Sequence, residues 1–469
     1  MDTTAVARRI DTEWSAHAQG VLERYIRIPN KSPLFDPKWQ AHGHMDRAAA
    51  LLAEWARARP LAGLAVEVLR LPGRTPLILA EVPGTGPGLV LLYGHFDKQP
   101  EFTGWESGLD PWTPTVRDGK LYGRGGADDG YALFSSLLAI QMLEEQGVPH
   151  ARCVVMIEGS EESGSIDLPA YVEHLGPRLG TPDLVICLDA ECGDYERFWL
   201  TTSLRGNLVG TLSVEMLTEG VHSGMGTGIA ATPFRILRSL LDRLENATTG
   251  DLMVEDLYVR TPPGRIAEAR AAAAVLGPTV AAKLPFVAGA RPLSNDPAEL
   301  LLNTTWKPTL AVTGADGLPA LANAGNVLLP RIAVKLSLRL PPTLPGAAAL
   351  ARVKSVLEAD PPYGARVQFT DAGAQTGWNA NELAPWLAAA VDSGSKAFFG
   401  AGAVAMGTGG SIPFIGMLAE RYPATQFLVT GVLGPGSNAH GPNEFLHLGC
   451  VRRVTGCVAS VLEAHARRA

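Results

Sequence analysis

Three apolar runs, Leu89–Tyr93, Cys153–Ile157 and Leu184–Leu188, lead directly into clusters of histidine and carboxylate. The clusters are Gly94-His95-Phe96-Asp97, Glu158-Gly159-Ser160-Glu161-Glu162-Ser163-Gly164 and Asp189-Ala190-Glu191. A short continuous apolar run bounded by turn residues reads as a buried strand. A helix candidate, Tyr131–Gln146, lies between the first run and the second. Strands alternating with helices predict an α/β layer architecture with a largely parallel sheet. Open sheets of that kind place their chemistry at the carboxyl ends of the strands, which is where the polar clusters fall.

The rest of the chain extends this pattern and then interrupts it. Amphipathic stretches over about Val6–Ile28 and Met45–Ala58 and strand candidates Ala65–Leu69 and Leu77–Val82 belong to the first part. After Leu204 the character changes. Strand candidates Leu208–Val214, Ile332–Leu340 and Val367–Thr370 and helix candidates Thr232–Leu244 and Ala347–Leu357 suit a separate α+β domain. Helix–strand alternation resumes after Trp378 with Leu383–Phe398, Gln426–Thr430 and a last helix over about Leu448–Ala466. At 469 residues the chain is long for a single core. The expected organisation is a discontinuous main domain, 1–204 and 378–469, interrupted by a second domain, 205–377.

Composition excludes several functions. With 46% hydrophobic and 19% charged residues the chain is neither disordered nor fibrous. A formal net charge of -7 gives no general basic surface for nucleic acid or an anionic membrane. Met1–Gly20 lacks the apolar core of a signal peptide, and no apolar run is long enough to span a bilayer. The five cysteines are scattered and form no zinc pattern, as expected of idle thiols in a reducing cytoplasm.

Each polar cluster has a structural reading beside a chemical one. His95 and Asp97 are two apart on an extended segment and point the same way. Asp97 can then fix the tautomer through which His95 meets a metal, or simply make a strand-end hydrogen bond. Asp128 and Asp129, after the glycines of Gly123-Arg124-Gly125-Gly126, are metal ligands or helix N-caps. No phosphate loop or dinucleotide fingerprint is present. Glu161 and Glu162 resist desolvation unless a cation or proton compensates, or they form a solvated turn. A further cluster is Asn438-Ala439-His440-Gly441-Pro442-Asn443-Glu444. Mixed histidine and carboxylate donors suit zinc, with manganese or cobalt as alternatives. Two metals sharing a carboxylate would clamp a water and polarise a carbonyl.

The succession GHFD, GRGGADDG, EGSEESGS, CLDAE, VHSG, GTGGSIP and NAHGPNE runs from Gly94 to Glu444. In that order it resembles the aminoacylase/carnosinase family of dinuclear zinc metallopeptidases, nearest to its carnosinase and cytosolic non-specific dipeptidase branch. The resemblance implies a zinc-exopeptidase type main domain with an inserted lid and dimerisation domain. It implies two Zn2+ ions, one held by His95 and Asp189, the other by Glu162 and His440, with Asp128 bridging both. Asp97 would orient His95, and Glu161 would be the general base. His222 would stabilise the oxyanion, often across a homodimer interface. Arg339 would pair the substrate carboxylate, helped by Gly409, Gly410 and Ser411, with Asn326 a further candidate. Two departures stand out. Gly130-Tyr131 follows the aspartates where the family often has Lys-Gly, and Thr408 stands where dipeptidase relatives commonly have an acid. The expected activity is cleavage of dipeptides or similar small substrates with a free carboxylate. The alternatives are a deacylase or carbamoyl hydrolase of N-substituted amino acids and a non-catalytic peptide-binding relative; a base beside a ligand, Glu161, favours catalysis.

Overall fold

The computed structural model describes residues 1–468. Its central sheet has six strands in the spatial order Ala65–Leu69, Leu77–Val82, Ala151–Glu158, Gly86–His95, Leu184–Cys187 and Gln426–Val429. The last four are parallel to one another, and the first two join as an antiparallel edge. Leu184–Cys187 is buried along its whole length, and so are Val90–Tyr93 and Cys153–Ile157. Strands covered on both faces have no solvated side, which is why they read as unbroken apolar runs.

Alternate side chains of these strands feed two cores. Val90, Leu92, Val155, Ile157 and Ile186 join the helices Thr3–Glu13, Gln19–Ile26, His44–Arg57, Ala132–Glu145, Pro385–Phe399 and Leu448–Arg467 on one face. Leu91, Tyr93, Val154, Met156, Val185 and Cys187 meet the helices Leu168–His174 and Pro413–Arg421 on the other. Helix Ala132–Glu145 is buried on every side from Ala132 to Leu143, which explains the absence of charged residues over that stretch. The main unit is therefore an α/β layer structure with a largely parallel mixed sheet flanked by helices.

A second sheet, entirely antiparallel, runs Thr309–Asp316, Arg331–Leu340, Gly206–Glu215, Arg366–Gln375. Helices Pro233–Leu241 and Gly346–Glu358 cover one face, packing on Leu208, Leu212, Val214, Leu336 and Leu338. Asn207 and Arg339, opposite each other in register, alternate with those core residues and so belong to the other face. The helices Pro263–Leu276 and Pro297–Thr305 leave this sheet. They pack instead on Trp199–Leu204 and Val404–Thr408, a parallel pair beside the main sheet, through Ala269, Ala272, Leu301, Trp199 and Met406. Among the described residues no helix is long and apolar enough to cross a membrane.

Candidate metal centre

His95 closes the strand Gly86–His95, Glu158 closes Ala151–Glu158, and Asp189 follows Leu184–Cys187 by two residues. These three strands are neighbours and parallel, so their carboxyl ends converge on one place. Asp128 arrives on the glycine-rich turn before helix Ala132–Glu145, and its peptide bond to Asp129 is cis. Gly125 in that turn has φ +78, and an added Cβ would lie 2.6 Å from the Lys98 chain. Only glycine fits there. His440 comes from the loop beyond Gln426–Val429, in a left-handed conformation with φ 63.

The two oxygens of Asp128 face two different groups. Oδ1 is 3.2 Å from His95 Nε2, which is 3.8 Å from Asp189 Oδ1. Oδ2 is 3.0 Å from His440 Nε2, which is 3.3 Å from Glu162 Oε2. The donor atoms of His95, Asp128 and Asp189 lie within 4.8 Å of one another, and so do those of Asp128, Glu162 and His440. The structure thus brings together the five side chains expected as ligands, as two triads sharing one carboxylate.

The electrostatics fit a pair of divalent cations. Burial, followed by the neighbouring acids, raises Asp189 and Glu162 well above ordinary carboxylate values, although His95 and His440 work against it. Burial also works against ionisation of Asp128, but His440 and His95 outweigh it and hold that carboxyl low. The buried Oε1 of Glu162 has no hydrogen-bond partner. So much buried negative charge needs cations, and the nitrogen and oxygen donors are those zinc, manganese and cobalt accept. Glu161, next to Glu162 in the chain, is pushed up to about 8 by burial and by Asp97, Glu158 and Asp128, against the pull of His95.

Surrounding residues hold this arrangement. The expected partnership of His95 and Asp97 takes a specific form: His95 Nδ1 is 3.1 Å from the Asp97 carbonyl oxygen and 3.4 Å from its Oδ1. The Asp97 carboxylate accepts the backbone N–H groups of Glu161 and Glu162, each at 3.1 Å. Glu158 turns away from the centre and accepts from Tyr93, Ser165 and Ser160 at 2.6, 2.8 and 3.0 Å. The sequence reading did not single out Arg124 and Glu444 individually, although both lie inside quoted motifs. They form a fully buried ion pair of 2.6 Å. Glu444 also accepts from the N–H groups of Gly125 and Ala127, tying the Asp128 turn to the loop that carries His440.

The remaining candidates lie in two places. Gly410 and Ser411 line a cavity of about 760 Å³ together with Asp128, Glu161, Asp189 and His440. Leu276, Val280, Leu301 and Met406 add an apolar part to the lining, with Thr279 and Lys283 beside them. Gly409 touches Arg205, and Arg339 stands beside that contact on the second sheet. His222 and Asn326 are elsewhere. Both are exposed, on or beside a two-stranded ribbon that pairs Val221–His222 with Val327–Leu328. His222 accepts from the N–H of Gly224 and is not among the residues lining the cavity of its own chain.

Comparison with known proteins places this geometry. The cysteinylglycine-S-conjugate dipeptidase of Corynebacterium striatum is 28% identical over 84% of this chain and 85% of that protein. The human Beta-Ala-His dipeptidase is 29% identical over 60% of this chain and 56% of its own length. The crystal structure of human carnosine dipeptidase 1 superposes with a TM-score of 0.77 and 23% identity, covering 99% of both chains. The family model for peptidase family M20/M25/M40 matches residues 91–464. Both the chemistry of the centre and the extent of that match assign this chain to the peptidase family M20/M25/M40.

Proposed function

We propose that the chain is a metal-dependent dipeptidase that cleaves the amide bond of small substrates with a free carboxylate. The observation that carries this reading is the pair of triads sharing Asp128, with Glu161 half-buried beside them and unused by either. His95 and Asp189 would hold one cation, Glu162 and His440 the other, and Asp128 both; zinc fits the donors best, with manganese or cobalt as alternatives. Such a cation pair, when bound, acidifies water and polarises a carbonyl. Glu161 takes the proton of the attacking water and delivers it to the leaving amine. Asp97 keeps His95 and the Glu161–Glu162 turn in register. The names of the relatives, dipeptidases of cysteinylglycine conjugates and of Beta-Ala-His, support a dipeptide substrate.

The apolar part of the cavity lining favours a substrate that carries an apolar substituent. Thr408, buried at the same cavity, offers no charge to a substrate amine, which keeps the deacylase reading as the second one.

The segment 205–377 serves in this proposal as lid and dimerisation unit. Val221, Met225, Ile229 and Val327 are 37%, 75%, 89% and 47% exposed around His222. A cluster of that kind marks an interaction surface. In a homodimer it would bring His222 and Asn326 to the partner's centre, where His222 would stabilise the oxyanion.

The test is a panel of dipeptides and N-acyl amino acids offered to protein stripped with a chelator and reloaded with zinc, manganese or cobalt. Expected are two metals per chain, loss of hydrolysis on stripping and preference for dipeptides. Turnover of N-acyl amino acids alone would establish the deacylase reading instead, and full activity of the stripped protein would end both.

A further inference from the structure

Arg205 has no place in the reading above, yet it is only 8% exposed and carries a charge. Its Nε donates to the Gly409 carbonyl at 3.4 Å and its Nη1 to the Thr309 hydroxyl at 3.3 Å, both long bonds to neutral acceptors. Its own backbone N–H donates to the Gly410 carbonyl at 3.1 Å. Thr309 is the cross-strand partner of Arg339, and directly opposed residues on one face have Cβ atoms about 5 Å apart. The guanidinium of Arg205 therefore reaches the immediate neighbour of Arg339. Asn207 opposes Arg339 on the other side, and its buried Oδ1 has no hydrogen-bond partner.

Among the described residues no carboxylate lies within 4.0 Å of either guanidinium. Burial and the charge of Arg339 pull the Arg205 guanidinium down to about 10. Two arginines held together with no anion between them are an arrangement that protein folding does not favour by itself. A carboxylate supplied from outside resolves it, because each planar guanidinium presents paired N–H donors matched to carboxylate oxygens. The place is suitable. Leu204, Gly410 and Ser411 line the cavity that holds Asp128 and Glu161; Arg205 and Gly409 are the residues next to them in the chain and are not themselves in the lining.

We propose that Arg205 is a second carboxylate-binding residue, acting with Arg339 and the Gly409–Gly410 loop on the free carboxylate of the leaving residue. This rests on the amide-hydrolase reading for its substrate, but not for its ligand. A clasp that merely held the Gly409 loop would act equally on any substrate, and the comparison of acid and amide below separates the two roles.

The test compares zinc-loaded wild type, Arg205→Met and Arg205→Lys on a dipeptide and on its C-terminal amide. Arg205→Met is expected to lower kcat/KM for the free dipeptide by about 10- to 100-fold, mainly through KM, the loss of hydrogen bonds to a charged group. For the amide the loss is expected to stay within about threefold, because the missing charge is no longer met. Arg205→Lys, which keeps the charge without the fork, is expected to fall between. In parallel, thermal denaturation is followed with glycine and with glycinamide. Glycine is expected to stabilise wild type, glycinamide not, and Arg205→Lys to lose most of the glycine effect. Equal losses on dipeptide and amide, or an undiminished glycine effect in Arg205→Lys, would overturn the proposal. Failure of wild type to hydrolyse any dipeptide would overturn the dipeptidase reading, and the glycine measurement would still decide the arginine pair.

Discussion

The backbone N–H of Glu161 donates to the carboxylate of Asp97 at 3.1 Å, joining the segments that follow two adjacent parallel strands. The other oxygen of the same carboxylate takes the N–H of Glu162, and Oδ1 also stands 3.4 Å from His95 Nδ1. One side chain thus sets the proposed base and two proposed ligands, one from each triad. Asp97→Asn replaces an acceptor with an N–H2 group that must face an N–H donor or the histidine. Loss of such a supporting partner is expected to weaken metal affinity by about 10- to 100-fold. Competition with a chromophoric chelator measures it, and an affinity within about twofold of wild type would reject the assigned role.

Arg124 and Glu444 make a different kind of support, a closed ion pair with side chains 1% and 0% exposed. Arg124→Met strands the Glu444 charge among Gly125, Ala127 and apolar neighbours and is expected to cost about 3–5 kcal/mol of stability. Adding Glu444→Gln removes the stranded charge, so the double variant should lose less than the sum of the single losses, by at least about 1 kcal/mol. Urea unfolding of the metal-loaded variants gives the four values. Simple additivity would show that the pair does not act as a unit.

Glu161 lies at the cavity while His222 is exposed on the second unit, so the two roles can sit on different chains. Glu161→Gln is expected to abolish turnover with both metals retained. His222→Ala is expected to lower kcat by about two orders of magnitude, the contribution of one oxyanion donor. If His222 acts in the partner's centre, mixing the two inactive variants under subunit exchange regenerates one intact site in each mixed dimer. Activity recovered on mixing, followed over time, checks the arrangement. Two variants that stay inactive despite demonstrated exchange would exclude action of His222 in the partner's centre.

The fold was legible where burial wrote it into local sequence. Strands covered on both faces are continuous apolar runs, so Gly86–His95, Ala151–Glu158 and Leu184–Cys187 and the polar ends they deliver stood out. Trp199–Leu204 is equally buried but reads WLTTSL, its polar side chains sheltered by contacts such as Thr202 with Glu268 at 2.6 Å, and so passed unrecognised. The alanine-rich helix Pro263–Leu276 packs on Val404–Thr408, far along the chain, a contact that no local pattern announces. The five candidate ligands came from motif order; the sequence could not show that Asp128 divides its oxygens between two histidines. Arg205 carries no motif, and only the folded contact with Thr309 and Gly409 marks it. The glycine at 130 also has a spatial reason. A Cβ there would lie 2.4 Å from the Tyr25 ring, over which the buried Lys98 ammonium sits at 3.9 Å.

His465, on the last helix, is fully buried with neither ring nitrogen hydrogen-bonded, and its nearest acid, Asp183, is 3.8 Å away. Burial, with Arg468 adding to it, pulls its pKa down to about 4, against the smaller effect of Asp183. The folded protein therefore holds this ring neutral, while the unfolded chain protonates it near the ordinary value of about 6.5. Between those values the unfolded state binds more protons, so stability rises with pH. The contribution is present above about pH 6.5 and is lost as pH falls through about 4. His465→Phe removes the titration while filling the space beside Trp386, whose ring centroid is 5.7 Å away. Unfolding at pH 7 and pH 5 should show wild type losing more stability than the variant, by on the order of 1–2 kcal/mol. Parallel losses in the two proteins would mean that the ring protonates in the folded state as readily as outside it.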